Sequence, residues 1–418
     1  MNGEGALADS GQSHRRRAAL PFILIVVFID VLGIGLAMPV LPMLIGDFTA
    51  SREQQAYWYG ALVIIYGLMQ FACAPLLGAL SDRFGRRPVI LASIFGLGLH
   101  YLLLALAPSL WFMLIARVIG GFTGASFSVA NAYASDVSTA EQRAKSFGLI
   151  GAAFGLGFIF GPMLGGLLGS IDLRLPFYVA AALALVNGVY GAFLVPESLP
   201  RERRAPFAFA RANPFGALLA LARHPEIGRL VAVFALVVLA QLILQTTWVL
   251  FTHFRFGWGP RDNGFALFCV GVVAAVVQGV LLGPLLRWFG DVRVALVGLS
   301  IGALAYLLYG LAQQGWMMYA IIFGNFVSFA AGPALQGIVS NAVGPREQGV
   351  TMGALNSIQS IMFVLAPAIG TPLLAEVSHL PASDWRVGVT FFVSAGLQCV
   401  ALFLARRHFA YQRVARTV

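Results

Sequence analysis

Charge is what this sequence has least of: 11% of its 418 residues are charged and 59% are hydrophobic, where soluble chains carry about a quarter of charged residues. That scarcity excludes a soluble globular chain. Cysteine is almost as rare, with three in all. Cys73, Cys269 and Cys399 fall inside apolar stretches, so neither a disulfide framework nor a cysteine metal centre is expected, and reduced, buried thiols are. The ten-residue alternation of apolar and polar residues that marks barrel strands is missing. No glycine loop built for phosphate is present, which speaks against ATP-driven pumping; the Gly-x-Gly runs sit in apolar stretches and pack helices. The apolar stretches hold no Ser/His/Asp arrangement and no clustered carboxylates, so an enzyme is not expected, nor a metal or other cofactor. A cleavage site is lacking too. Arg15, Arg16 and Arg17 begin like a signal peptide, but the apolar run behind them is too long and no small-residue site ends it. It reads as a retained first helix.

What the chain has is long apolar runs. They lie at about 20–45, 57–80, 89–107, 109–132, 145–169, 176–195, 228–251, 264–286, 293–312, 316–338, 350–377 and 387–406, and a run of about 20 residues crosses a bilayer as a helix. The expected fold class is therefore an all-α membrane protein of twelve transmembrane helices.

The net charge of +10 is distributed by topology. Threaded through twelve spans, 21 of the 27 Lys and Arg residues fall on one side, in the N-terminus, alternate loops and the tail. The other side receives Arg52, Arg174, Arg255, Arg261 and Arg386, and Arg117 lies within a span. The positive-inside rule then places both termini and the long central loop in the cytoplasm of a bacterial inner (plasma) membrane. Lipid is the expected partner of this surface, and nucleic acid is not.

The chain repeats itself at an offset near 205. Gly78-Ala-Leu-Ser-Asp-Arg-Phe-Gly85 has a counterpart in Gly283-Pro-Leu-Leu-Arg-Trp-Phe-Gly290, Glu141-Gln142 in Glu347-Gln348, Pro162 in Pro367 and Gly165 in Gly370. The expectation is two pseudo-symmetric six-helix bundles, 1–195 and 228–418, joined by a proline- and arginine-rich loop at 196–227. A substrate site then lies between the halves near the bilayer midplane.

Three features carry mechanism. Gly78, Asp82, Arg83, Gly85, Arg86 and Arg87 form a charged turn between the second and third spans. Charges at facing helix ends can pair in one conformation and release in the other, which makes a gate; the alternative is that they only fix topology, for which Asp82 is not needed. The fifth span carries Gly157, Gly161, Pro162, Gly165 and Gly166. Small residues four apart let helices approach closely and Pro permits a bend, so a packed seam between the halves is expected. Asp30 lies about ten residues into the first span, roughly 15 Å deep. A carboxylate at that depth is a functional candidate. Arg117 lies at similar depth in the fourth span. The two are expected to pair, either as a proton-coupling element or as a static ion pair. His100 in the third span titrates near neutral pH in water and reads equally as a proton relay, a substrate-lining group or a packing histidine. Amides and aromatics in spans, among them Tyr66, Gln70, Asn131, Gln245, Trp248, Gln278, Asn325 and Gln336, are candidates to line the substrate cavity.

The turn from Gly78 to Pro88 resembles the loop signature of the major facilitator superfamily. The run Gly155-Leu-Gly157-Phe-Ile-Phe-Gly161-Pro162-Met-Leu-Gly165-Gly166 resembles the fifth-helix motif of its drug:proton antiporter branch, and Asp30 to Pro42 and Arg117 to Gly124 resemble that branch's first and fourth helices. Trp248-Val-Leu-Phe-Thr and Pro333-Ala-Leu-Gln336-Gly337 are most similar to tetracycline/proton antiporters. The resemblance implies proton-coupled efflux of a small organic molecule by a monomer, with Asp82 and its arginines holding the outward-open state. Proton-coupled uptake of a sugar or organic acid is the alternative within transport; a receptor or enzyme that transports nothing is the alternative outside it. The sequence departs from that family where His100 stands for an acidic residue, where Gly298–Leu304 offers none, and where Ala274 stands near the place of a histidine. These losses argue against a metal-chelated cationic substrate.

Overall fold

The computed structural model describes residues 4–124, 126–137, 143–206, 225–343 and 348–417. Regular structure among them is entirely helical. The first half holds α1 (Glu4–Ala37), α2 (Leu41–Gly46), α3 (Arg52–Phe84), α4 (Arg86–Leu106), α5 (Leu110–Thr123), α6 (Ser126–Val137), α7 (Arg143–Gly169) and α8 (Leu175–Leu194). The second holds α9 (Pro225–Phe256), α10 (Pro260–Val276), α11 (Leu282–Phe289), α12 (Asp291–Leu311), α13 (Gly315–Gly324), α14 (Ala331–Asn341), α15 (Gln348–Val377) and α16 (Val389–Thr417).

Among the described residues nine helices are long and apolar enough to cross a membrane. A tenth span is broken: Gly315–Gly324 and Phe326–Asn341 meet at 53°. The two remaining expected positions are taken by the shorter apolar helices Pro21–Ala37 and Leu110–Thr123. The protein is a multi-pass membrane protein, and its helices stand where twelve spans were expected.

The internal repeat appears in the backbone. α4 and α12 are each 21 residues long and start 205 residues apart. Each is opened by a glycine of positive φ, Gly85 at 107° and Gly290 at 77°, a conformation that other residues adopt only with strain. Each is closed by an alanine with extended backbone, Ala107 and Ala312. The paired prolines Pro162 and Pro367 both lie inside helices.

The chain divides into two compact units, Met1–Val40 with Leu68–Asn213, and Leu41–Gly67 with Pro214–Val418. α3 is shared between them. Its first half packs on α15 in the second unit, where Gly60 faces Thr371 and a Cβ on Gly67 would lie 2.8 Å from the Phe363 ring. The first unit is centred on Phe22, Ile23, Val26, Val31, Ile90, Ile94, Tyr133 and Ile150, all buried. In the second, Trp248 packs edge-on to Tyr309 at 5.3 Å, and Phe251 meets Phe391 at 4.4 Å.

The glycines of the fifth span pack somewhere other than expected. They form a seam within the first unit, between α7 and α1. A Cβ on Gly161 would lie 2.7 Å from Gly35 Cα, and one on Gly157 would lie 2.9 Å from the Phe28 carbonyl. Gly165 faces the Leu36 carbonyl. Glycine repeats identify a close helix crossing but not the partner helix.

Two spans of the second unit depart from α geometry. One π-helical turn, Val277–Leu281, joins α10 to α11, and a 3-10 stretch, Phe326–Ala330, joins α13 to α14. Turns of either kind within a span often mark functional positions.

Candidate functional site

The charged turn between α3 and α4 is built around Arg86. Its guanidinium reaches Asp82, one turn back, at 2.7 Å and Asp136 of α6 at 3.1 Å, and it also bonds the Ser81 hydroxyl. Arg87 donates to the Ala192 carbonyl at the end of α8. Arg83 points outward, its guanidinium 5.1 Å over the Phe84 ring. Gly85 supplies the left-handed backbone that lets α4 begin at once. Beside the turn is a cavity of ≈ 370 Å³ lined by Ala74, Pro75, Gly78, Ala79, Ser81, Asp82, Arg86 and Ala132. Gly78 borders open space, since a Cβ there would touch nothing. The structure thus joins Asp82 and Arg86 to Asp136, and Gly85 and Arg86 to Glu197, with Gly78 beside the cavity and Arg87 bonded to α8 instead. Sequence reasoning missed Asp136 and Glu197. Their signal was the arginine excess itself: so many cations beside one acid require further counter-charges, and Asp136 and Glu197 are acids at the same end of the first unit.

The deep ionisable residues lie in the first unit. Asp30 on α1 and Arg117 on α5 are each 9% exposed. From α4, Tyr101 reaches α1 and His100 reaches α5. The Tyr101 ring seats on α1 at Gly33, where a Cβ would lie 2.9 Å from its hydroxyl. The His100 ring seats on α5 at Gly120, and its Nδ1 donates to the Ala116 carbonyl at 2.7 Å. Asp30 and Arg117 each lie within one helical turn of the level where this pair touches their helix. His100 is 1% exposed, and a ring held on a backbone carbonyl between two helices has the geometry of a packing histidine.

The predicted cavity residues separate into groups. Gln278, in the π-turn, and Gln336, on α14, are exposed. Gln70 is half-buried and donates to the Gly124 carbonyl at 3.1 Å, where α5 ends; Gln245 is also half-buried. Tyr66 is buried. Trp248 is 2% exposed, inside the aromatic core of the second unit. Asn325, at the break of the tenth span, is buried and donates to the Tyr309 hydroxyl at 3.2 Å. The side chain of Asn131 lies outside the described set.

A helical, multi-pass membrane protein with two repeated units, a charged turn at the second–third span junction and buried ionisable groups is a membrane transporter. Residues 23–367 match the Major Facilitator Superfamily, and the chain belongs to that family. It is 39% identical over 403 residues to the tetracycline resistance protein, class C, of Escherichia coli, covering 96% of this chain and 99% of that one. It is 28% identical to multidrug resistance protein 2 of Bacillus subtilis, over 90% of this chain and 92% of that one. Its fold is similar to that of a bacterial homolog of the human lysosomal transporter Spinster in an inward-facing, occupied conformation, with a TM-score of 0.76 over 94% of this chain and 97% of that one, at 16% identity. The chain is a transporter and not an enzyme.

Proposed function

We propose that this protein exports a small, tetracycline-like or otherwise drug-like organic molecule in exchange for protons, by alternating access, as a monomer with both termini in the cytoplasm. The observation that carries the reading is Asp30, a carboxylate nine-tenths buried in α1, in a chain whose full-length relatives are named for tetracycline and multidrug resistance. A carboxylate at that depth is a functional candidate, and proton-driven exchange needs a group whose charge changes between conformations. Arg117, at similar depth in α5, is the cation on which such a change acts. Arg117 itself stays charged.

The charged turn serves as the gate. Asp82 and Arg86 form a pair that can open and close. The exposed amides Gln278 and Gln336 supply uncharged hydrogen-bonding groups for substrate. With His100 where the tetracycline antiporters carry an acid, the substrate is one recognised by amides and aromatic faces without a chelated cation.

The test is substrate-evoked proton movement in proteoliposomes. Tetracycline or ethidium added on the side from which substrate is taken must move protons opposite to the drug. Co-directional movement establishes symport and overturns the reading; no proton movement with either probe removes antiport of these drugs.

A further inference from the structure

The central loop starts inside the gate. The Pro196 carbonyl accepts from the Tyr133 hydroxyl at 2.9 Å, and the Ser198 hydroxyl donates to Asp136 Oδ2 at 3.2 Å. Further on, the Ala205 N–H donates to the Asp82 carbonyl at 3.1 Å. These contacts lay residues 196–205 along the charged turn.

Glu197 is the centre of this segment. Its Oε1 accepts from the Arg86 N–H at 2.8 Å and from the Leu199 N–H at 3.0 Å, and its Oε2 lies 3.8 Å from Arg204. Arg86 is the first residue of α4. The first N–H groups of a helix lack partners within it, and a carboxylate satisfies both their hydrogen bonding and the helix dipole. Normally the residue just before the helix does this, but that residue is Gly85, which has no side chain. Glycine is required there twice over. Its φ is 107°, and the Glu197 carboxylate stands where a Cβ would project. The cap therefore arrives from 111 residues further along the chain.

We propose that Glu197 is a positioning residue of the gate, and that residues 196–205 form a strap tying the Asp82–Arg87 turn to the start of the central loop. The inference rests on the reading of that turn as the gate. It goes further in assigning how the gate is set. The backbone of Asp82 and of Arg86, the two sides of the gate's ion pair, is held by the same ten residues that lead into the linker toward the second unit. Displacing the linker then acts directly on the pair. A charge cluster that served topology alone needs no such attachment, because the positive-inside rule counts residues and is indifferent to what they bond.

Three variants test this in the full-length protein. Glu197→Ala removes the cap. Glu197→Gln keeps the Oε1 acceptor and loses only the charge facing Arg204. Ala205→Pro deletes one N–H beside Pro206, at a site whose preceding residue, Arg204, already has the extended backbone that proline demands. Trypsin added to inside-out vesicles should cut after Arg201 and Arg203, bonds common to all four proteins, about tenfold faster in Glu197→Ala than in wild type, since cleavage follows the population of the opened segment. Ala205→Pro should show a smaller increase, and Glu197→Gln should stay near wild type. Equal cleavage in all four proteins overturns the strap, whatever the transport result.

In proteoliposomes driven by a pH gradient, with tetracycline and ethidium as probes, Glu197→Ala should lose about tenfold in maximal rate with KM unchanged, the signature of a step other than binding. Ala205→Pro should move in the same direction, and Glu197→Gln should retain most of the rate. A proportional rise in KM would contradict a gating role. Asp82→Asn is measured beside them. If it is inactive while Glu197→Ala turns over normally, the strap is overturned and the gate stands. If Asp82→Asn is fully active, the gate itself falls.

Discussion

Gly35 of the first span and Gly161 of the fifth meet backbone to backbone: a Cβ built on Gly35 would lie 2.7 Å from Gly161 Cα, and one on Gly161 would lie 2.7 Å from Gly35 Cα. Neither helix can carry a larger residue at this crossing without moving away from the other. Since α1 bears Asp30, the crossing also fixes how the buried carboxylate sits in the first unit. Small residues at helix crossings in membranes substitute for the hydrophobic driving force that water provides elsewhere.

Gly161→Ala should therefore destabilise the protein by about 1–3 kcal/mol, the usual cost of overpacking, and reduce transport. Gly155→Ala, six residues earlier on the same helix, faces open space and should be neutral. Thermal unfolding of the two variants in detergent makes the comparison. Equal melting temperatures would place the crossing elsewhere.

Arginines close matching helix ends in the two units, one from just before α8 and one from the last turn of α9. Arg174 donates to the Ala105 and Ala107 carbonyls at 2.9 and 3.0 Å. Arg255 donates to the Ala312 carbonyl at 3.1 Å and also to the Ala382 and Asp384 carbonyls. Last-turn carbonyls have no partner within their own helix, and a planar guanidinium bonds several at once where an ammonium cannot. Arg255→Lys should cost about 1–3 kcal/mol of stability, and Arg174→Lys, with two carbonyls at stake, should cost less. Melting temperatures of the two variants check the order.

Asp384, in the loop between α15 and α16, is paired with Arg386. Hydrogen bonds from Arg386, side chain first and backbone second, hold its carboxyl down to about 2 from an ordinary value near 3.8. A depressed carboxylate pKa stabilises the fold above the ordinary value, and the contribution is lost as pH falls through the lowered one. The loop should therefore keep its structure down to about pH 4 and loosen between there and about pH 2. Arg386→Gln should move the onset upward. Hydrogen exchange across 381–388 as a function of pH reads this, and an onset that Arg386→Gln leaves in place would remove the pair as its cause.

The orientation rests on the asymmetry of 21 out of 27 basic residues. Cysteines placed at Glu202 and Ser383 in a background without Cys73, Cys269 and Cys399 should react with an impermeant thiol reagent from opposite sides. Reaction of both from outside intact cells would contradict the twelve-span threading.

Much of this arrangement is legible in the sequence because the membrane makes it so. Apolar runs long enough to span the bilayer have little choice but to be helices, and the offset of 205 foretells that α4 and α12 share length, opening glycine and closing alanine. Local pattern does not say which helices touch. The Gly157–Gly165 series announces a close crossing, yet only the structure shows its partner to be α1. Trp248 reads as a cavity wall from its position, but tertiary packing puts it against Tyr309 and Phe391. The break at Asn325 has no proline to mark it, and the π-turn at Gln278 leaves no signature in an apolar run. Glu197 stands more than a hundred residues from the glycine it covers, and no spacing rule connects them.

The central claim is that Asp30 carries the proton. His100 is the histidine deep in the first unit's described spans, a side chain that titrates near neutral pH in water, and its Nδ1 is committed to the Ala116 carbonyl. A second proton goes on Nε2 and leaves that bond in place, so the contact between α4 and α5 does not depend on it. Asp30→Asn removes the carboxylate with little change of shape. Efflux of tetracycline or ethidium against an imposed pH gradient, compared between Asp30→Asn and His100→Gln in proteoliposomes, decides the assignment. Asp30→Asn should abolish pH-driven efflux, and His100→Gln should shift only its pH optimum or substrate range. Efflux that survives in Asp30→Asn and disappears in His100→Gln would give the proton site to His100 and contradict the account.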